Sequence, residues 1–113
     1  MIKIYHNPRC KKSREGLAIL ENAGKQFEIV KYLEDTPSVE TLTKIINLLG
    51  IPPVQLVRKS EKIWKENYKG KELTALEIIK AMSANPKLIE RPIVINNNRA
   101  VIGRPPENIS AII

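Results

Sequence analysis

Thiol and imidazole chemistry have one residue each to work with in this chain, Cys10 and His6. A single cysteine excludes an internal disulfide framework and points to a reducing, cytoplasmic setting. Aromatic residues are few as well: Tyr5, Phe27, Tyr32, Trp64 and Tyr68 are all there are. They form no ladder interleaved with basic residues, which argues against binding of single-stranded nucleic acid. Zinc-finger, RNA-recognition and glycine-rich phosphate-loop signatures are absent. No apolar run approaches the roughly 18 residues that a membrane-spanning helix needs. The opening MIKIY, ahead of the polar pair His6-Asn7, is too short for a signal-peptide core.

What the chain has in excess is positive charge. Nineteen lysines and arginines against twelve acidic residues give a net +7, which suggests anionic partners. Hydrophobic residues at 42% and charged residues at 27% are ordinary for a globular protein, and 113 residues suffice for one core. One domain over residues 1–113 is therefore expected. Nothing in the sequence calls for an obligate dimer, so a monomer is the expectation.

The pattern along the chain predicts an α/β fold. IKIY (2–5) is a short β-prone run cut off by Asn7-Pro8, and a helix is expected from about Cys10 to a stop at Gly24. FEIVKYL (27–33) alternates as a second strand, parallel to the first if the helix is a crossover. DTPS (35–38) starts a helix whose stripe is Val39, Leu42, Ile45, Ile46 and Leu49, ended by Gly50. PPVQLVR (52–58) reads as a short helix or turn. Thr74 and Glu77 form a capping box for a helix lined by Leu76, Ile79 and Met82. RPIVIN and RAVIGRP are two strands joined at Asn96–Asn98, and Pro105-Pro106 opens a last short helix. A parallel pair plus an antiparallel pair, flanked by helices, matches a thioredoxin-like sandwich with a mixed four-stranded sheet.

Cys10 is the residue around which chemistry gathers. Arg9, Lys11 and Lys12 adjoin it, and the predicted helix begins there. A helix N-terminus offers unpaired N–H groups and partial positive charge, both of which favour a thiolate. That end alone contributes about 0.3–1 kcal/mol, less than one pKa unit, so further cations are required. His6 is a candidate as a cationic or hydrogen-bonding partner of the sulfur. Ser13 completes a Cys-x-x-Ser spacing and is a possible donor to the thiolate; with no second cysteine, an external thiol must finish any redox cycle. Arg58, Arg91 and Arg104 stand apart from the other basic residues, each beside an apolar run or a proline. Arginine grips tetrahedral oxyanions through two N–H groups at once, as lysine does not.

HNPRCKKSR (6–14), LVRK (56–59), LIERPIVI (88–95) and IGRPPE (102–107) together resemble the glutaredoxin-coupled arsenate reductases of the ArsC family, over nearly the whole chain. The resemblance implies a thioredoxin-like domain with a helical insertion at about residues 36–84. It implies Cys10 as the nucleophile toward arsenate, His6 and Ser13 as aids to its ionisation, and Arg58, Arg91 and Arg104 as oxyanion ligands. Glutathione would be the co-substrate and glutaredoxin the partner, with no metal and no bound cofactor. The family also contains reductases acting on other substrates and the Spx transcriptional regulators. The regulators commonly carry a Cys-x-x-Cys switch, which Ser13 removes here. Lys11 and Lys12 depart from the small or neutral residues usual after the cysteine.

Overall fold

A computed structural model describes residues 1–113, and its contacts divide the chain into two compact units. Met1–Asp35 and Arg91–Ile113 make the first; Thr36–Glu90 makes the second.

The first unit holds strands β1 (Ile2–Tyr5), β2 (Phe27–Val30), β3 (Ile93–Asn96) and β4 (Arg99–Ile102), and helix α1 (Lys11–Asn22). They form one mixed sheet in the order β2-β1-β3-β4. β1 runs parallel to β2 and antiparallel to β3, so Ile4 lies between Ile29 and Val94. The β3–β4 hairpin turns at Asn97, whose φ of 56° asparagine tolerates better than most residues. Ile2 and Ile4 of β1, Leu20 of α1 and Val94 of β3 share a buried cluster with Ile109 and Ile112 of the last turn, Pro106–Ala111. This cluster fixes α1 on the sheet and thereby sets where its first residue stands.

β2 is shorter than its alternation predicts. Instead of continuing to Leu33, the chain turns at Lys31, whose carbonyl accepts from the N–H groups of Glu34 and Asp35 at 3.0 and 2.8 Å. Tyr32 is buried within that turn, so its apolar character serves packing and not strand continuation.

A second constraint lies where α1 meets the step into β3. A Cβ on Gly16 would lie 2.9 Å from Pro92 Cγ and 2.9 Å from Ile109 Cδ1. On Gly103 it would lie 2.9 Å from the same proline atom, and the Gly103 N–H already donates to the Pro92 carbonyl at 2.8 Å. Pro92 is therefore gripped between two residues that can carry no side chain. The Arg91-Pro92 and Arg104-Pro105 peptide bonds are both cis.

The second unit is helical. In α2 (Val39–Leu49) the Ser38 side chain caps the Thr41 N–H, Gly50 closes the helix at φ 67°, and Leu42, Ile45 and Ile46 are buried. A 3-10 turn (Pro53–Leu56) and α3 (Lys62–Asn67) follow, and then α4 (Ala75–Ala84) opens with the Thr74–Glu77 capping box. The buried face of α4 is Ile78, Ile79, Ala81 and Met82, whereas Leu76 is 50% exposed. At about 100° per residue, Leu76 sits roughly 140° round the helix from the mean direction of those four. The expected stripe of Leu76, Ile79 and Met82 was thus drawn one edge too wide. No helix is long and apolar enough to cross a membrane.

Gly16→Ala separates propensity from packing. Alanine gains about 1 kcal/mol in a helix interior, but overpacking costs about 1–3 kcal/mol. The Ile109 methyl can swing away from the new atom, but the Pro92 ring cannot. The variant is expected to unfold at lower denaturant than the parent, measured by circular dichroism in urea.

Candidate active site around Cys10

The loop from β1 to α1 is built by its own backbone. Asn7 Oδ1 accepts from the Arg9 N–H at 3.0 Å, the Asn7 carbonyl accepts from the Cys10 N–H at 3.0 Å, and the Arg14 guanidinium donates to the Pro8 carbonyl at 2.9 Å. Cys10 is left in extended conformation as the N-cap of α1, its carbonyl taking the first helical bond from Arg14 at 3.0 Å. An N-cap side chain faces the unpaired N–H groups of the first turn.

The sulfur sits partly buried in that position. Burial pushes its pKa up, but the Ser13 N–H, the Arg91 guanidinium and the Lys12 N–H together outweigh burial and bring it below the usual thiol value. The thiol makes no formal capping bond to those N–H groups. The Ser13 and Lys12 N–H groups act on the sulfur as backbone donors, and their hold strengthens once it carries charge. Lys12 thus contributes through its backbone; its ammonium pairs with Glu15 at 3.5 Å on an exposed face, and Lys11 is exposed too.

His6 and Ser13 are the two buried polar side chains of the protein. Ser13 Oγ lies 2.6 Å from His6 Nδ1 and accepts from the Asn7 N–H at 2.9 Å. The serine hydroxyl is therefore spent on the imidazole, and Ser13 reaches the sulfur through its backbone. Burial, followed by the charges of Lys31 and Arg14, lowers the His6 pKa; the Ser13 contact and Glu21 oppose this less strongly. With its pKa lowered, the imidazole is neutral at neutral pH, and the Nδ1–Oγ hydrogen bond ties the ring to Ser13. Of the two roles the sequence left open for His6, cationic or hydrogen-bonding, the fold shows a neutral ring hydrogen-bonded to Ser13.

Arg91 stands directly before Pro92, and its side chain reaches the Cys10 sulfur by charge and by hydrogen bonding. Arg104 is exposed and donates to the Arg91 carbonyl at 3.4 Å. Cys10, His6, Ser13, Arg91 and Arg104 all belong to the first unit. Arg58 belongs to the second, where its N–H donates to the Leu88 carbonyl at 2.7 Å and its guanidinium lies 3.6 Å from Glu61 and 3.8 Å from Glu90. Sequence reasoning missed Asn7, Arg14 and Gly16. The turn-forming pair Asn7-Pro8 was the available sign for the first and the stretch ending in Ser13-Arg14 for the second; nothing in the sequence marked Gly16.

The histidine gives a pH signature that no other residue can supply, since His6 is the only one in the chain. Its folded pKa lies below the ordinary 6.5, so the unfolded chain binds a proton first as pH falls. The stabilisation is complete above about pH 6.5 and drains away as pH drops through the folded value. Urea stability is expected to decline between about pH 6.5 and 5, above the carboxylate range, and to stay flat there in a His6→Asn variant.

Comparison with known proteins places this arrangement. Residues 5–112 match the model of the ArsC family. The arsenate reductase of Haemophilus influenzae is 48% identical, with 97% of each chain covered. An uncharacterised Escherichia coli protein, YfgD, is 46% identical over 99% of this chain and 96% of its own. Among solved structures, an arsenate reductase from Vibrio cholerae superposes with a TM-score of 0.95 at 46% identity, covering 99% of this chain and 97% of that one. The fold is the thioredoxin-like α/β sandwich with a mixed four-stranded sheet. Matched over nearly its full length by the family model and by these relatives, the chain belongs to the ArsC family.

Proposed function

We propose that this protein is an oxidoreductase that reduces arsenate to arsenite, with Cys10 as nucleophile, glutathione as co-substrate and glutaredoxin as the thiol that restores the enzyme. The observation that carries this reading is the Cys10 thiol, set against the Ser13 and Lys12 N–H groups and the Arg91 guanidinium with its pKa lowered. Relatives named as arsenate reductases at up to 48% identity support it.

In the first step the Cys10 thiolate attacks arsenic(V). A sulfur–arsenic bond forms and an arsenic–oxygen bond breaks, the oxygen leaving as water once protonated. Arg91 and Arg104 hold the oxyanion and offset the charge that builds on its oxygens; Arg58 joins this set on the sequence resemblance alone. A glutathione thiolate then attacks the Cys10 sulfur. The sulfur–sulfur bond forms, the sulfur–arsenic pair stays on arsenic, and arsenic(III) departs as arsenite. The glutaredoxin thiolate takes the glutathione sulfur, and Cys10 leaves as a thiolate. Two thiols are oxidised to one disulfide for the two electrons that arsenic gains. The lowered thiol pKa serves twice, once in keeping the nucleophile ionised and again in making Cys10 a good leaving group.

A coupled assay containing arsenate, glutathione and glutaredoxin is expected to show arsenite formation that Cys10→Ser abolishes. If Cys10 is alkylated readily while arsenate is not turned over, arsenate is not the substrate. Alkylation by iodoacetamide should follow a single titration with its midpoint below the ordinary thiol value of about 8.5. Arg91→Lys keeps the charge and loses the two-pronged grip, so arsenate kcat/KM should fall about tenfold or more, and the alkylation midpoint should rise.

A further inference from the structure

Beside the nucleophile loop the first unit has a cavity of about 300 Å³ that has been given no occupant above. Its lining includes Pro8, Arg9, Lys31, Leu33 and Glu34, with His6 at the end of β1. Cys10 is not part of that lining, but Arg9 is its immediate neighbour in the chain.

The cavity has the features of a built site. On one side, the loop wall is fixed by the Arg14 bond to the Pro8 carbonyl at 2.9 Å and by the Asn7 side chain on the Arg9 N–H at 3.0 Å. On the other, the Lys31–Asp35 turn is closed on the Lys31 carbonyl and anchored by buried Tyr32. The His6 N–H joins the two sides by donating to the Val30 carbonyl at 2.9 Å. Walls ordered before binding lower its entropic cost. Leu33, 39% exposed, is one of few large apolar side chains left open to solvent, and it faces this space. The charges are two cations, Arg9 and Lys31, and one anion, Glu34.

We infer that this cavity is the seat of the thiol co-substrate: a small peptidic thiol with two carboxylates and one ammonium, glutathione in the proposed reaction. The charge count matches group for group, Arg9 and Lys31 for the carboxylates and Glu34 for the ammonium. Pro8 and Leu33 supply the apolar contact that ligand sites of this size ordinarily have. A tripeptide extends about 10 Å, and Arg9 in the cavity wall is the residue next to the nucleophile in the chain. The identity of the ligand rests on the function proposed above, whereas the cavity and its charges do not.

The test uses the full-length protein and S-methylglutathione, which keeps the charges but cannot react. Calorimetry is expected to show saturable binding that weakens about threefold to fivefold in Lys31→Met and in Glu34→Gln, as partly screened pairs do. N-acetyl-S-methylglutathione, lacking the ammonium, should bind the parent as weakly as S-methylglutathione binds Glu34→Gln. It should lose nothing further in that variant. Circular dichroism confirms that each variant is folded. No saturable binding, or equal affinity in folded parent and variants, overturns the proposal. Because neither arsenate nor turnover enters this assay, a failure of arsenate reduction leaves its outcome readable. Conversely, arsenate turnover with unchanged glutathione affinity in both variants overturns the cavity assignment alone.

Discussion

The site depends on one placement: a cysteine where a helix would ordinarily have a serine or aspartate cap. The first turn of α1 leaves N–H groups that its own carbonyls cannot reach. Elsewhere in the chain such groups are met by Ser38 and Thr74, whose oxygens bond them directly. At α1 the cap is sulfur, a weaker acceptor as a neutral thiol than as a thiolate, so the Lys12 and Ser13 N–H groups favour its ionised form. The exchange of oxygen for sulfur sets up the nucleophile. It costs helix stability at the same point, and the burial of Ile2, Ile4, Leu20 and Val94 offsets that cost by holding α1 on the sheet from below.

Everything next to the sulfur is held by something farther away. Ser13 is pinned to His6, which ends β1, and to Asn7, which shapes the loop. Arg91 is placed by Pro92, which is gripped between Gly16 and Gly103. Two glycines without obvious purpose in the sequence are thus tied, through Pro92, to the position of a guanidinium. The cation and the cap come from opposite ends of the chain, and the sheet order β2-β1-β3-β4 brings β1 and β3 side by side to join them.

Much of this was legible in the sequence. Asn7-Pro8 announced the end of β1, Thr74 and Glu77 announced α4, and Cys10 announced itself by its basic neighbours. These are local signals, carried by residues within a turn of one another. What the sequence did not carry was direction. Lys12 stood only among the basic neighbours of the thiol, without a role; it turns its ammonium to Glu15 and offers its N–H. Ser13 looked like a donor to sulfur but gives its hydroxyl to His6. Tyr32 looked like strand and proved to be the buried anchor of a turn. In each case the residue type was informative, and tertiary packing decided which of its atoms did the work.

The neutral state of His6 has a consequence for how steady the thiol is. Arginine holds its charge across the whole accessible pH range, and backbone N–H groups do not titrate at all. With His6 already deprotonated at neutral pH, the field at the sulfur has no component that switches as the medium drifts from neutral to alkaline. Cys10 is left as the one group of this cluster whose proton moves there. A nucleophile in such surroundings behaves as an isolated acid with a shifted constant, and its reactivity is buffered against its own neighbours.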